Sequence, residues 1–125
     1  TKDWLTKKRK IKYGLVLDFP QLLTSEKINT LEFDLAKYTD IIDKISVYRH
    51  LIKGIHIWGK KKSANNRWIA HVGTLDTYFG NNTYNKNEFI NGIYKICDDN
   101  IRRFLVPEVN SGREDLVSVL NDILK

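Results

Sequence analysis

Methionine is absent from this sequence, cysteine occurs once and proline twice. The lone thiol, Cys97, closes no disulfide within the chain and has no CxxC partner, so a disulfide framework and a cysteine-built metal site are both excluded. Phe89, Ile93 and Ile96 precede it at helical spacing, which makes it a small core residue. No apolar run approaches the roughly 20 residues that a membrane-spanning helix requires, and the amino end carries no signal-peptide pattern. The expectation is a cytoplasmic protein with no membrane contact. The missing methionine fits a piece of a longer chain.

What is present is an ordinary globular composition on 125 residues, enough for one domain and one modest core. Twenty-one Lys and Arg against fifteen Asp and Glu leave a net charge of +6, a balance that favours phosphate-bearing partners. Position says more than the total. Lys7-Lys8-Arg9-Lys10 precedes the first apolar run, whereas Lys60-Lys61-Lys62 follows the second. In parallel α/β folds ligands bind beyond the carboxyl ends of the strands. Only the second basic run is therefore placed to meet a substrate.

Three short apolar runs read as strands. Tyr13 to Leu17 ends at Asp18, Leu51 to Trp58 ends at Gly59-Lys60, and Arg103 to Pro107 ends at Glu108. Between the first two, Ile28, Leu31, Leu35, Tyr38, Ile41, Ile42 and Ile45 form one helical face, with Asn29 and Glu32 as a capping pair. A second helix buries Phe89, Ile93, Ile96 and Cys97 behind an Asn85–Glu88 cap. A third buries Leu116, Val119, Leu120 and Ile123 behind a Ser111–Glu114 capping box. From Gly59 to Asn82 no period is visible, and a connection that long is more often functional than idle. The predicted architecture is α/β, three parallel β/α units in one segment spanning 1–125.

Each strand delivers a metal-capable side chain at its carboxyl end: Asp18, His56 and Glu108. Neighbouring strands lie about 4.8 Å apart, so three such residues can meet at one point, and Asp, Glu and His are ligands for a divalent metal. Each also has a plainer reading. Asp18 fits a cap for the following turn, His56 a hydrogen-bonded core histidine, and Glu108 the start of a turn. Two further features suit a ligand. Ser111-Gly112-Arg113 opens the last helix, where free N–H groups suit a phosphate, although simple capping also explains it. Trp58 and Trp68 flank Lys60 to Lys62 and Arg67, an aromatic and basic mix able to stack on a sugar or base; Trp58 alternatively seals the mouth of the fold.

Asp18 in LVLDFPQLL, His56 in GIHIWGK, the stretch RWIAHVGTLDTYF and Glu108 in RFLVPEVNSG together resemble the final strands of the xylose isomerase-like barrels, which include sugar isomerases, epimerases and endonuclease IV. The resemblance implies the last three strand–helix units of a TIM-type (β/α)₈ barrel, with Asp18, His56 and Glu108 as ligands of a divalent Zn, Mn or Mg ion. It further implies Glu108 and His71 in catalysis, with Lys60, Arg67, Trp58, Ser111 and Gly112 binding a small sugar or sugar phosphate. Gln21 stands where the family often has a histidine, and Ile69 where the endonucleases have an acidic residue. A single-metal isomerase-like site is therefore expected over a trinuclear zinc cluster. An endonuclease IV-like hydrolase and a non-catalytic module binding nucleic acid or a partner are the alternatives. A full barrel needs about 250 residues. The expectation is that the interior face, read as Val16, Ile55, Ile57 and Leu105, is covered by missing strands, a second copy or a partner chain.

Overall fold

A computed structural model of the chain describes residues 14–125. Tyr13 of the expected first strand and the basic run Lys7 to Lys10 lie outside the described residues. Three parallel strands, β1 (Leu15–Asp18), β2 (Ile52–Ile57) and β5 (Phe104–Pro107), form one sheet in the order β1-β2-β5. Strands that run parallel need crossovers, and helices supply them here. The mixed α/β class is as expected; the sheet is open, not a closed barrel, with β1 and β5 at its edges.

The helices are α1 (Phe19–Ser25), α2 (Leu35–Ser46), α3 (Leu75–Tyr78), α4 (Thr83–Cys97) and α5 (Arg113–Leu124). Their caps differ from the expected ones. Asp34 caps α2 by accepting from Lys37 N, while the Asn29 side chain closes a local turn by accepting from Leu31 N. Asn82 caps α4 through Asn85 N. Gly112, at φ 106°, is the N-cap of α5, and no side chain caps that helix. The Ser111 hydroxyl instead donates to Asp115 Oδ2 at 2.5 Å, so there is no capping box with Glu114. Short Asn, Asp and Ser side chains bond to whichever N–H lies nearest, and competing sites a few residues apart look alike in sequence.

The unpatterned stretch after β2 is not a long loop. It folds into an antiparallel hairpin, β3 (Lys60–Lys62) with β4 (Trp68–Ala70), followed by the single turn of α3. Thr74 and Thr77 close a reciprocal capping box there.

The core lies on one face of the sheet. Phe19, Leu23, Tyr38, Phe79, Phe89 and Ile96 are fully buried, joined by Ile55 and Ile57 from β2 and packed by Leu17 and Leu105. Phe89 meets Phe19 edge-on at 6.2 Å and Phe79 at 5.2 Å between ring centroids. Truncating a buried Phe of this kind to Ala costs about 3–5 kcal/mol. This placement corrects the interior face read from sequence. Ile55, Ile57 and Leu105 face the helices. Alternation sends the next residue of each strand the other way. Val16, Gly54 and Phe104 stand in one row across the sheet, and Asp18, His56 and Val106 in the next. On that open face Val16 is 60% and Phe104 79% exposed, so β1 is not the buried strand its apolar run suggested.

Candidate functional site

Asp18 is the last residue of β1 and lies opposite His56 in the parallel ladder. Glu108 N donates to Ile57 O at 3.0 Å, which carries the β2–β5 pairing one step beyond Pro107. Asp18, His56 and Glu108 thus project from adjacent strand ends on the face away from the helices. One ligand-capable atom from each lies within 4.8 Å of the others, and all three residues are half-buried.

Local structure orients every member. Asp18 caps α1, its Oδ1 accepting from Gln21 N at 2.9 Å, and its Oδ2 accepts from Trp58 Nε1 at 3.0 Å. The capping reading of Asp18 is therefore correct, and it leaves the carboxylate aimed at His56. His56 Nδ1 bonds Glu108 Oε1. A carboxylate accepts, so His56 Nδ1 is the donor in this pair.

His71 stands beside this group at the end of the hairpin. Its Nδ1 donates to the Glu108 carbonyl oxygen at 3.1 Å and lies 4.0 Å from Glu108 Oε2. A carbonyl only accepts, so His71 Nδ1 is the donor in this bond. Its backbone is left-handed at φ 64°, a conformation that costs a residue other than glycine about 1–3 kcal/mol. Two bonds hold it there, His71 N to Gly59 O at 3.1 Å and Asn110 N to His71 O at 2.7 Å. They tie the hairpin to the ends of β2 and β5.

The other expected site residues scatter. Trp58 is 3% exposed, with His71 stacked on its ring at 4.0 Å between centroids and 31° between planes. It holds Asp18 and offers no open face to a sugar. Lys60 is near the group: its ammonium bonds Thr24 Oγ1 at 3.0 Å and lies 5.6 Å from the Trp58 ring centroid. Burial lowers the Lys60 pKa below the ordinary lysine range, and the Asp18 carboxylate opposes that shift. Arg67 is exposed in the β3–β4 turn, where the bonds it makes come from its backbone. Ser111 accepts from Gly73 N at 2.8 Å and so pins α5 to the hairpin, which is a structural task. Gly112 has open space where a Cβ would sit.

Sequence reading missed the Trp58–Asp18 bond because it spans 40 positions and depends on the hairpin folding back. Gln21, at the place of the family's histidine, is exposed, and its amide lies 3.5 Å from Ser25 Oγ. No family model, curated protein or solved structure matches the chain.

Proposed function

We propose that Asp18, His56 and Glu108 hold one divalent cation and that the site serves a metal-dependent isomerase or epimerase acting on a small sugar or sugar phosphate. The observation that carries this reading is the convergence of an Asp oxygen, a His nitrogen and a Glu oxygen within 4.8 Å at three adjacent strand ends. The donor set fits: two carboxylates this close repel each other, and the His56 nitrogen adds a borderline ligand suited to Zn, Mn or Mg. A bound ion would supply Lewis-acid polarisation of adjacent substrate oxygens.

The chain's own residues would do the rest. Glu108 takes the proton from the carbon next to the substrate carbonyl and returns it to the neighbouring carbon, the work of a general base and then acid. His71 stands beside it with its ring fixed by Trp58 and the Glu108 carbonyl, suited to bonding a substrate hydroxyl. Trp58 keeps Asp18 in place through its N–H and shields the floor of the site from water. The exposed Val16–Phe104 row supports the companion reading that the sheet is part of a barrel whose remaining strands come from further polypeptide.

Elemental analysis and calorimetric titration test the metal. About one ion per chain is expected, with Glu108→Gln binding more weakly while the far-ultraviolet circular dichroism stays unchanged. A protein that takes up no metal after reconstitution overturns the reading. Binding of single-stranded DNA without cleavage, steeply salt-dependent, would instead support a nucleic-acid module, a reading favoured by Lys62 lying 5.0 Å over the Trp68 ring on the basic hairpin.

A further inference from the structure

Between the end of α1 and the β3–β4 hairpin lies a cavity of about 300 Å³. Lys27, Lys60, Lys62 and Asn29 supply its polar wall, and Trp68 and Tyr78 its aromatic wall; among the described residues no carboxylate lines it. Lysines on a surface commonly pair with acidic neighbours, yet none of these three takes part in an ion pair among the described residues. Lys27 reaches the cavity because the chain turns through a left-handed residue there, at φ 57°, after α1 ends with Lys27 N on Thr24 O and Ile28 N on Leu23 O. The Asn29 carbonyl is spent on Leu31 N, which leaves its amide N–H groups as donors.

The spacing along β3 explains the pattern. Lys60 and Lys62 are two apart and share a side of the strand, whereas Lys61 points outward and is exposed. Each inward ammonium rests on an aromatic ring: Lys60 lies 5.7 Å from Tyr78, and Lys62 5.0 Å from Trp68. Rings of this kind hold a cation in place without neutralising it. Three unneutralised ammonium groups and an amide around one concavity match a dianion with several acceptor oxygens.

We infer that this cavity is a phosphate-binding subsite, built by Lys27, Lys60, Lys62 and Asn29, and that its ligand is a small phosphomonoester. Lys60 joins it to the site already described, since its ammonium feels the Asp18 carboxylate and lies over Trp58. A ligand anchored by its phosphate here would contact Lys60, whose ammonium also neighbours Trp58. The cavity as an anion site stands by itself; its use as the phosphate end of a sugar phosphate rests on the metal-site reading. Arg67, read from sequence as a substrate ligand, is replaced in this role by Lys27 and Lys62.

Inorganic phosphate is the probe, titrated into the full chain after metal is stripped with a chelator, so that binding to a cation is not counted. Calorimetry gives the affinity, and amide NMR shifts give the location. Saturable binding is expected, with shifts centred on Thr24, Lys27, Asn29 and Lys62. Lys27→Ala and Lys62→Ala should each weaken it about tenfold, the worth of one charge-assisted hydrogen bond. Lys61→Ala removes the same charge from the outer side of the strand and should change it by less than about twofold. Absence of saturation, shifts centred elsewhere, or equal losses in all three variants would overturn the inference. Tighter binding of a single-stranded oligonucleotide that depends on Lys61 as much as on Lys62 would overturn it too, in favour of a nucleic-acid surface. Glu108→Gln separates the two proposals: it should weaken metal uptake and keep phosphate. Loss of phosphate binding in the lysine variants tests the cavity, and failure of metal uptake in the unmodified chain tests the metal site, each without the other.

Discussion

The indole N–H of Trp58 donates to Asp18 Oδ2 at 3.0 Å, and the face of the same ring carries the His71 imidazole. One buried side chain thus sets the position of two of the four polar groups at the strand ends. Trp58→Phe deletes the donor and replaces the indole with a smaller ring. Folding stability should fall by more than the roughly 1 kcal/mol of one hydrogen bond, because the cavity left adds its own cost. Divalent metal affinity should fall by about tenfold or more, as when the outer partner of a ligand is lost. Thermal melts and metal titrations read the two effects separately, and an unchanged affinity would remove Trp58 from any role in orienting a ligand.

Gly92 illustrates packing set against propensity. It lies inside α4, where Gly→Ala should add about 1 kcal/mol on helix preference alone. A Cβ there would sit 2.4 Å from Tyr38 Oη and 2.6 Å from its ring. The phenol cannot simply swing aside, because it donates to Phe89 O at 2.7 Å and is buried. Gly92→Ala should therefore destabilise, by about 1–3 kcal/mol as for other overpacked sites. Urea unfolding gives the sign directly.

Acid should expose the tie between Asp99 and Arg103. Two parallel bonds, 2.6 Å and 2.7 Å, join the carboxylate to the guanidinium, which also donates to Ile52 O and Arg49 O. The Arg103 hydrogen bonds, helped by Ile101 N–H and Arg49, hold the Asp99 carboxyl at about 2. A folded-state value below the unfolded one, about 3.9, stabilises the fold at neutral pH. That contribution should fade as pH falls from about 4 through about 2. Asp99→Asn should be less stable than the native chain at pH 7 and show a flatter loss across that window, measured as urea midpoints at stepped pH.

The bare sheet face should act on its surroundings. Val16 and Phe104 are largely exposed and stand in one row beside Gly54, with Val106 in the next row. Among the described residues no strand pairs with the outer edge of β1 or β5. The 125 residues alone should self-associate with rising concentration in light scattering. Phe104→Lys should reduce that association without lowering the melting temperature, because the ring contributes nothing to the core. A monomer at every concentration, with β1 and β5 amides protected from exchange, would overturn the partial-barrel reading.

Much of this molecule was legible in its sequence. Apolar runs of strand length, ending at Asp18, at Gly59-Lys60 and at Glu108, located the three strands to within a few residues, because a strand packed against helices must be locally apolar. The helical face of Phe89, Ile93 and Ile96 was likewise local. The convergence of the three polar residues also followed from order alone, since parallel strands joined by helical crossovers bring like ends together. Tertiary structure decided the rest. Which side of the sheet faces the helices depends on a parity that β1 and β5, four residues each and largely apolar on both faces, do not reveal; hence Leu105 turned inward to the helices and Val16 outward. The hairpin at Lys60–Lys62 carries no alternation of its own and exists through its pairing with Trp68–Ala70. That same pairing sends Lys60 and Lys62 to the cavity and Lys61 to solvent, a division that three identical residues in a row cannot announce. Trp58 bonds Asp18 for the same reason: the partners of a long side chain are chosen by what the fold brings within about 3 Å, not by its neighbours in the chain.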